Sequence, residues 1–304
     1  MAVKSIKTKN LVWHNVLELD SDSLQWLKKE FNFHSLAIKD CQGDLQHPKV
    51  DYYKGYVFLV VHFPEIDHKN NIIRTLEVDI FVGKNFVITI QKQKNKSLNN
   101  IFYRLTTNIY ARNYFMSEGS AFFLYRILDE MYRKFSTVTR YVYAKIDETE
   151  RQIFGDETTA SIKRLADLRR MVLKLRLMLD PQKVVISSLQ RAKVDFFPPE
   201  IELYFEDISD FFEKIWAILE NQKDLVDGLY DTNESMLSYR MNRVIQVLTI
   251  FSVAMLPLTL LTGFYGMNIP LPWANHPLVV YSIFVLLILA IIGVIVYYRR
   301  RNII

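Results

Sequence analysis

The chain has 304 residues, of which 50% are hydrophobic and 23% are charged, and its formal net charge is +5. Because acidic and basic residues are interspersed, this mild excess of base argues against a nucleic-acid-binding protein. A single cysteine, Cys41, excludes a disulfide framework within the chain and a cysteine-rich metal site, and the polar first ten residues predict no signal peptide.

The N-terminal third of the chain predicts an α/β domain, which we assign to residues 1–96. Residues 11–19 alternate between apolar and polar side chains and predict a strand, and residues 20–31 predict a short helix with a polar cap. Residues 56–63 are rich in β-branched side chains and predict a buried strand. Residues 77–91 predict a hairpin of two apolar strands around a Gly-Lys-Asn turn.

The middle of the chain predicts helices, because apolar side chains recur at three- and four-residue spacing from about residue 97. We assign residues 97–199 to a helical region in which Pro181 marks at most a kink or a break. Two consecutive prolines near residue 199 are typical of the first turn of a new helix. The helical pattern then continues over residues 200–264, which predicts one long helix that becomes a first membrane span.

The C-terminal part predicts a membrane hairpin, because residues 244–298 contain no Lys, Arg, Asp or Glu. A membrane-spanning helix needs about 20 apolar residues, and the end of the long helix and residues 278–298 each supply them. Prolines interrupt the helical pattern in the connecting loop, residues 265–277. The alternative is a buried hairpin in the core of a large soluble protein.

The basic residues around this hairpin favour the membrane and predict its orientation. Arg240 and Arg243 precede the first span, and a basic tail, residues 299–304, follows the second. The connecting loop contains neither Lys nor Arg. The positive-inside rule therefore places both chain termini in the cytoplasm and the loop outside the cell membrane.

The first predicted span has a weakly polar face. On a helical wheel with 100° per residue, one arc contains Asn242, Ile245, Thr249, Ser252, Leu256, Thr259 and Gly263. Hydroxyl side chains often bond to their own helix instead, but a continuous stripe favours a surface that faces water. One hairpin cannot enclose a path for an ion, so this stripe predicts a homo-oligomer with several copies around an axis.

Signatures of catalysis are absent from the sequence, which contains no P-loop, no glycine-rich dinucleotide turn, no HExxH and no GxSxG. We therefore expect neither enzymatic activity nor an organic cofactor. The remaining candidate metal ligands are acids. Asp207 and Asp210 lie on one face of the long helix, and Asp40 and Asp129 lie elsewhere. The alternative for these acids is a solvated helix surface.

The sequence YGMN, residues 265–268, stands at the outer end of the first of the two predicted C-terminal spans. In this position it resembles the defining motif of the CorA family of magnesium channels, and segments along nearly the whole chain resemble other parts of that family. Residues 34–63 resemble an N-terminal family segment, and VDIFVGKNFVITIQ resembles the family's terminal hairpin. YFEDISD resembles the acidic start of the family's long helix, and residues 241–268 resemble its pore helix.

This resemblance implies an α+β cytoplasmic domain with long helices, two C-terminal transmembrane helices and a funnel-shaped homopentamer in the plasma membrane. Its ion would be hydrated Mg²⁺, both transported and regulatory. The implied mouth of the pore consists of Tyr265, Gly266, Met267 and Asn268. The implied pore positions below the mouth include Asn242, Ile245, Thr259 and Gly263, and we expect Ile245 and Leu248 to form a dry constriction.

The resemblance also implies a regulatory Mg²⁺ site between subunits. It would join Asp40 of one subunit to Asp207 of the next, with Asp129 and Asp210 as accessory acids. Lys39 stands where relatives often have Glu, a departure that weakens a second cation site. The rival interpretations are a cobalt, nickel or zinc carrier of the same architecture and a membrane-anchored scaffold or sensor without ion flux.

A second departure lies in the loop. Many members of the family follow the Gly-Met-Asn motif with a short acidic stretch, whereas residues 269–277, IPLPWANHP, contain no acid. We therefore expect weaker concentration of external cations by charge.

Overall fold

The computed structural model describes residues 3–155, 159–268 and 277–300. The chain divides into two compact units, Met1–Leu229 and Tyr230–Ile304. The predicted boundary after residue 96 lies within the first unit, because helices of the middle region pack on the N-terminal sheet.

A six-stranded sheet forms the centre of the first unit, with the strand order β1-β2-β6-β5-β4-β3. The strands are β1 (Val3–Lys7), β2 (Val12–Val16), β3 (Lys49–Tyr53), β4 (Tyr56–Asp67), β5 (Ile72–Gly83) and β6 (Phe86–Gln91). Neighbouring strands are antiparallel, except that β2 and β6 are parallel. The predicted hairpin of residues 77–91 is confirmed by the β5–β6 pair, in which Val82 lies opposite Val87.

Eight α-helices lie within the described ranges. They are α1 (Ser21–Phe31), α2 (Ser35–Gln42), α3 (Lys96–Thr107), α4 (Ile109–Met116), α5 (Ser120–Phe154), α6 (Thr159–Gln190), α7 (Ile201–Tyr265) and α8 (Pro277–Arg300). Asp20 caps α1 by accepting a hydrogen bond from the Ser23 backbone N at 2.7 Å. Pro181 lies inside α6 and does not end it.

Helices cover both faces of the sheet, which explains the apolar sequence of β4. Phe58 and Val60 of β4 belong to a core that includes Ile38 of α2. On the opposite face, the Phe63 ring lies 5.1 Å from the Tyr132 ring of α5. Because side chains alternate between the faces of a strand, a strand that is buried on both faces has a continuous run of apolar residues.

Three elements of the first unit were not predicted from the sequence. Strand β1 lies at the edge of the sheet, and Ile6 is its only buried residue. Strand β3 forms the other edge and is only partly buried. Helix α2 has eight residues, too few to show a clear apolar period. Pairing and packing with neighbours determine these elements more than their own sequences do.

The second unit consists of the last part of α7 together with α8. Helices α7 and α8 are both long and apolar enough to cross a membrane, by length and composition. Helix α7 continues through Pro257 without interruption. Within this unit α7 and α8 border an apolar cavity of about 380 Å³, which Ile250 and Ala254 of α7 and Ile291 of α8 line.

Candidate functional site

The predicted polar stripe of α7 is exposed in the single chain. All seven stripe residues, from Asn242 to Gly263, are exposed. The largest apolar side chains on and beside this face are also accessible, with 53% of Ile245, 62% of Leu248 and 67% of Leu256 exposed. A helix that presents such a face in isolation has surface available for water or for other copies of the chain.

The opposite side of α7 faces the second apolar helix. Between Gln246 and Leu261, the half-buried positions are Gln246, Ile250, Ala254, Pro257, Leu258 and Leu261. Of these, Ile250, Ala254 and Pro257 line the cavity shared with α8. At 100° per residue, these positions and the polar stripe are centred on nearly opposite sides of the helix. The stripe as a whole is therefore directed away from α8, although Thr249 at its edge also lines the cavity.

The two threonines of the stripe hydrogen-bond to their own helix. Thr249 Oγ1 donates to the Ile245 carbonyl at 2.8 Å, and Thr259 Oγ1 donates to the Met255 carbonyl at 3.0 Å. A hydroxyl whose proton is used in this way still presents acceptor lone pairs. Acceptors without negative charge suit the water protons of a hydrated cation.

The predicted mouth begins where α7 ends. Tyr265 is the last residue of α7, and the Gly266 backbone N donates to the Thr262 carbonyl at 2.9 Å. A Cβ atom on residue 266 would meet that carbonyl oxygen at 3.0 Å, so the tight turn favours glycine. Met267 and Asn268 are exposed. Residues 269–276 of the predicted loop and residues 301–304 of the predicted tail lie outside the described residues.

Asp40, the first predicted regulatory acid, lies on α2 and forms an ion pair. Its Oδ2 atom is 2.7 Å from Lys49 Nζ, and the same Nζ is 2.7 Å from Asp51 Oδ2. Hydrogen bonds to these two carboxylates raise the pKa of Lys49 despite the opposing effect of its partial burial. A cation thus already lies at the Asp40 carboxylate.

A second lysine fixes the end of α2. Lys92 Nζ donates to the backbone carbonyls of Asp40 at 3.2 Å, Gly43 at 2.9 Å and Asp44 at 2.9 Å. It also forms a 2.6 Å ion pair with the fully buried Glu77 of β5. These contacts attach the C-terminal turn of α2, and with it Asp40, to the sheet.

The sheet carries two buried carboxyl groups behind α2. Burial and the charge of Glu77 raise the pKa of Asp79 to about 8. Burial also acts to raise the pKa of Glu77, but hydrogen bonds from His62 and Lys92 hold it below its ordinary value. Burial is the main cause that raises the pKa of the adjacent Cys41 thiol. Sequence reasoning missed this cluster, although two acids in the apolar sequence EVDIFV are a usable signal.

The remaining predicted acids lie on the long helices. Arg133 makes a bidentate contact with the Asp129 carboxylate of α5, with Nε 3.0 Å from Oδ2 and Nη2 2.9 Å from Oδ1. Burial, followed by the charges of Asp129 and Asp207, raises the pKa of Tyr125 to about 12. Asp207 and Asp210 are exposed on α7.

A single chain brings Asp129 and Asp207 near the same neighbours but does not complete the predicted metal site. The hydrogen bond to Asp129 is the main cause that raises the pKa of Arg133, and the charge of Asp207 also raises it. Asp40 contacts Lys49 instead. The described residues contain no group of three or more His, Cys, Asp or Glu side chains that could hold a metal ion within one chain. The predicted site joins Asp40 of one subunit to Asp207 of the next, so it would form only between two copies of the chain.

Comparison with known proteins gives matches along the chain. The family model described as CorA-like Mg²⁺ transporter protein matches residues 8–301. A putative metal ion transporter of Bacillus subtilis, YfjQ, is 30% identical over 280 residues, which cover 91% of this chain and 84% of the relative. A cobalt/magnesium transport protein CorA of Thermotoga maritima is 27% identical over 298 residues, which cover 95% of this chain and 82% of the relative.

A solved structure has the same fold. The CorA magnesium transporter of Methanocaldococcus jannaschii matches with a TM-score of 0.82 at 20% sequence identity, over 96% of this chain and 92% of that chain. At this identity the likeness concerns the fold alone. It confirms the predicted α/β N-terminal domain, the long helices and the two C-terminal apolar helices.

Proposed function

Because the chain belongs to the CorA-like Mg²⁺ transporter family, we propose that it forms a homopentameric channel that moves hydrated Mg²⁺ across the plasma membrane. Members of this family are divalent cation transporters. The five copies would arrange α7 around a central axis, with the Gly-Met-Asn turn at the outer mouth. The chain termini would lie in the cytoplasm, as the arginines that flank the spans predict.

The exposed stripe of α7 is the observation that supports this function best. It carries neutral polar groups on a membrane-length helix, and it is directed away from α8. Polar groups that face lipid are costly, whereas the same groups around a shared axis would line water. A channel requires this arrangement, and a membrane anchor does not.

The chemistry of the stripe suits an ion that keeps its water shell. Mg²⁺ dehydrates reluctantly and usually retains several waters when it is bound. The hydroxyls of Thr249 and Thr259, with their protons bonded to the helix, would accept hydrogen bonds from those waters. Asn268 and the Gly266 carbonyl would do the same at the mouth. Carboxylates in the pore would bind the ion too tightly to release it quickly.

The regulatory part of the proposal assigns cytoplasmic Mg²⁺ to the acids between subunits. Asp40 is partly exposed and Asp207 is exposed, so both are accessible to a neighbouring copy. Carboxylate oxygens are the protein ligands that Mg²⁺ prefers, and two of them leave positions for water. Bound Mg²⁺ would hold the subunits together, with Ile245 and Leu248 closed as a dry constriction. Loss of Mg²⁺ would shift the population toward an open state.

Uptake of Mg²⁺ into proteoliposomes tests the transport function. We expect the wild-type protein to carry Mg²⁺ and to be blocked by hexammine cobalt, an analogue of the hydrated ion. Asn268→Ala should lower uptake by about tenfold, because an amide that orients the hydrated ion is lost. Ser282→Ala is the matched control, since Ser282 of α8 donates to the Val279 carbonyl within its own helix. Undiminished uptake by Asn268→Ala would contradict the proposed mouth, whereas absence of uptake by the wild-type protein would favour the scaffold interpretation.

A second candidate function is transport of Co²⁺, with Ni²⁺ and Zn²⁺ as further rivals. The Thermotoga maritima relative is described as a cobalt/magnesium transport protein, and hydrated Co²⁺ resembles hydrated Mg²⁺. Competition in the same proteoliposomes distinguishes the ions. If Mg²⁺ is the main ion, excess Mg²⁺ should suppress Co²⁺ entry, whereas Co²⁺ uptake that persists would make Co²⁺ the main substrate.

A further inference from the structure

We propose that Lys49 is a tethered cation that competes with Mg²⁺ for Asp40 and so sets the Mg²⁺ concentration at which the regulatory site fills. This inference rests on the proposed regulatory role of Asp40. Lys49 would hold the carboxylate when Mg²⁺ is scarce and release it when Mg²⁺ is abundant. The threshold of the channel would then depend on a residue that never touches the ion.

The geometry shows a cation shared between two acids. Lys49 Nζ is 2.7 Å from Asp40 Oδ2 and 2.7 Å from Asp51 Oδ2. Lys49 and Asp51 both belong to β3, whereas Asp40 belongs to α2. The ammonium therefore connects a carboxylate of its own strand to one on a neighbouring helix. If Mg²⁺ occupies Asp40, Lys49 retains Asp51 and is not left without a partner.

The strength of the bridge suits exchange with a divalent ion. The Lys49 side chain is 36% exposed and the Asp40 side chain is 24% exposed, so solvent screens their attraction. Exposed ion pairs of this kind contribute little to stability. Such a pair is strong enough to weaken Mg²⁺ binding, because the ion must displace an ammonium, yet weak enough for the ion to displace it.

The position of Asp40 does not depend on Lys49. Lys92 holds the last turn of α2 through the carbonyls of Asp40, Gly43 and Asp44, and the buried Glu77 holds Lys92. Removing Lys49 should therefore free the Asp40 carboxylate without moving its backbone. This separation makes Lys49 testable by substitution.

The contrast with Asp129 clarifies which acids are exchangeable. Arg133 contacts both oxygens of Asp129 through two nitrogen atoms, a fork that is stronger and more directional than a single ammonium contact. We therefore expect Asp129 to stay paired with Arg133 and to influence Mg²⁺ through its negative charge, without coordinating the ion. Asp40, held at one oxygen by a shared lysine, is the acid that can change partners.

Mg²⁺ titration of the purified full-length protein tests the competition. Binding is followed by calorimetry and by protection from limited proteolysis. Lys49→Met should lower the midpoint for Mg²⁺ severalfold, because the ion no longer has to displace the ammonium from Asp40. Asp51→Asn should raise the midpoint severalfold, since Lys49 then has Asp40 as its remaining acid of the pair. Lys49→Arg, which keeps the charge and can hold a carboxylate at least as strongly, should not lower the midpoint.

A double-mutant cycle separates competition from general electrostatics. If Asp51 acts through Lys49, Asp51→Asn should have little effect in the Lys49→Met background, whereas a simple charge effect would be additive. Lys54→Met removes an exposed positive charge from the turn after β3 and should leave the midpoint unchanged. Additive effects in the cycle, or a Lys54→Met shift as large as that of Lys49→Met, would overturn the proposal.

Asp40→Asn distinguishes failure of this inference from failure of the regulatory site. If Asp40→Asn leaves Mg²⁺ binding intact, the regulatory assignment is wrong and the competition falls with it. If Asp40→Asn removes the binding step but Lys49→Met leaves the midpoint unchanged, the regulatory site stands and only the tethered cation is refuted. A thermal melt of each variant checks that the fold is retained.

Discussion

Asp79 is a carboxyl group at the centre of an apolar sheet. Its side chain is fully buried, and burial and the Glu77 charge raise its pKa to about 8, which keeps it protonated at neutral pH. The groups that face it are Glu77 on its own strand, Lys92 after β6 and Cys41 on α2. Because Lys92 is paired with Glu77, Asp79 has no counter-ion of its own and stays neutral in its buried position.

The raised pKa of Asp79 predicts a pH dependence of stability. An unfolded carboxyl loses its proton near its ordinary pKa of 3.8, whereas the folded group keeps it until about pH 8. The folded state binds more protons between these values, so the free energy of unfolding should fall as pH rises through this window and level off above it. Asp79→Asn should flatten this slope and stabilise the protein at pH 8 by roughly 1–3 kcal/mol.

Thermal unfolding of the detergent-solubilised protein between pH 5 and pH 9 measures this effect. Asp195→Asn, at an exposed acid, is the control and should follow the wild-type curve. A variant at position 79 that keeps the wild-type pH slope would show that another group carries the dependence.

Among the elements, the end of α2 is attached to the sheet by the Lys92 contacts. The lysine side chain is 16% exposed, and it joins three carbonyls of one segment to a fully buried acid of another. Lys92→Met should destabilise the first unit by about 3 kcal/mol, because it leaves the Glu77 charge buried without its cation. Thermal melts measure the loss, and hydrogen exchange should show faster opening of the last turn of α2.

Two comparisons make the Lys92 prediction specific. Lys94→Met, at an exposed lysine two residues away, should change the melting temperature little. Lys92→Met combined with Glu77→Gln should recover part of the loss, because the buried charge is removed together with its partner. An equal loss in the double variant would mean that packing of the lysine stem, and not the ion pair, stabilises this region.

The sequence predicts those elements whose pattern is local. The β5–β6 hairpin, the helices after residue 97 and the two apolar spans each show a period or a length that belongs to one segment. Strand β1 could not be found in this way, because a polar edge strand is defined by its partner β2. The ion pairs of Asp40 with Lys49 and of Lys92 with Glu77 also depend on tertiary contacts. The Arg133–Asp129 pair has i, i+4 spacing and could have been predicted.

At the scale of the whole molecule, the stripe on α7 requires other copies of the chain. We expect native mass spectrometry of the detergent-solubilised protein to show five protomers. A monomer that still carries Mg²⁺ would contradict the proposed pore, because the stripe of one chain cannot surround an ion.

The proposed constriction gives a separate prediction. Ile245→Asn should keep water in the constriction and raise the Mg²⁺ leak at high internal Mg²⁺ by about tenfold. Ile250→Asn, on the side of α7 that faces α8, is the matched comparison.

The continuity of α7 gives a prediction about coupling. This helix carries Asp207 in the first unit and Ile245 in the second, without a break from Ile201 to Tyr265. A proline at the exposed Glu234 should kink it, because proline removes a helix hydrogen bond and clashes with the preceding turn. If the helix transmits closure, Glu234→Pro should retain Mg²⁺ binding but lose the Mg²⁺ dependence of flux, whereas Glu234→Ala should keep both. Normal closure in a folded Glu234→Pro variant would show that the signal reaches the pore by a route other than the intact helix.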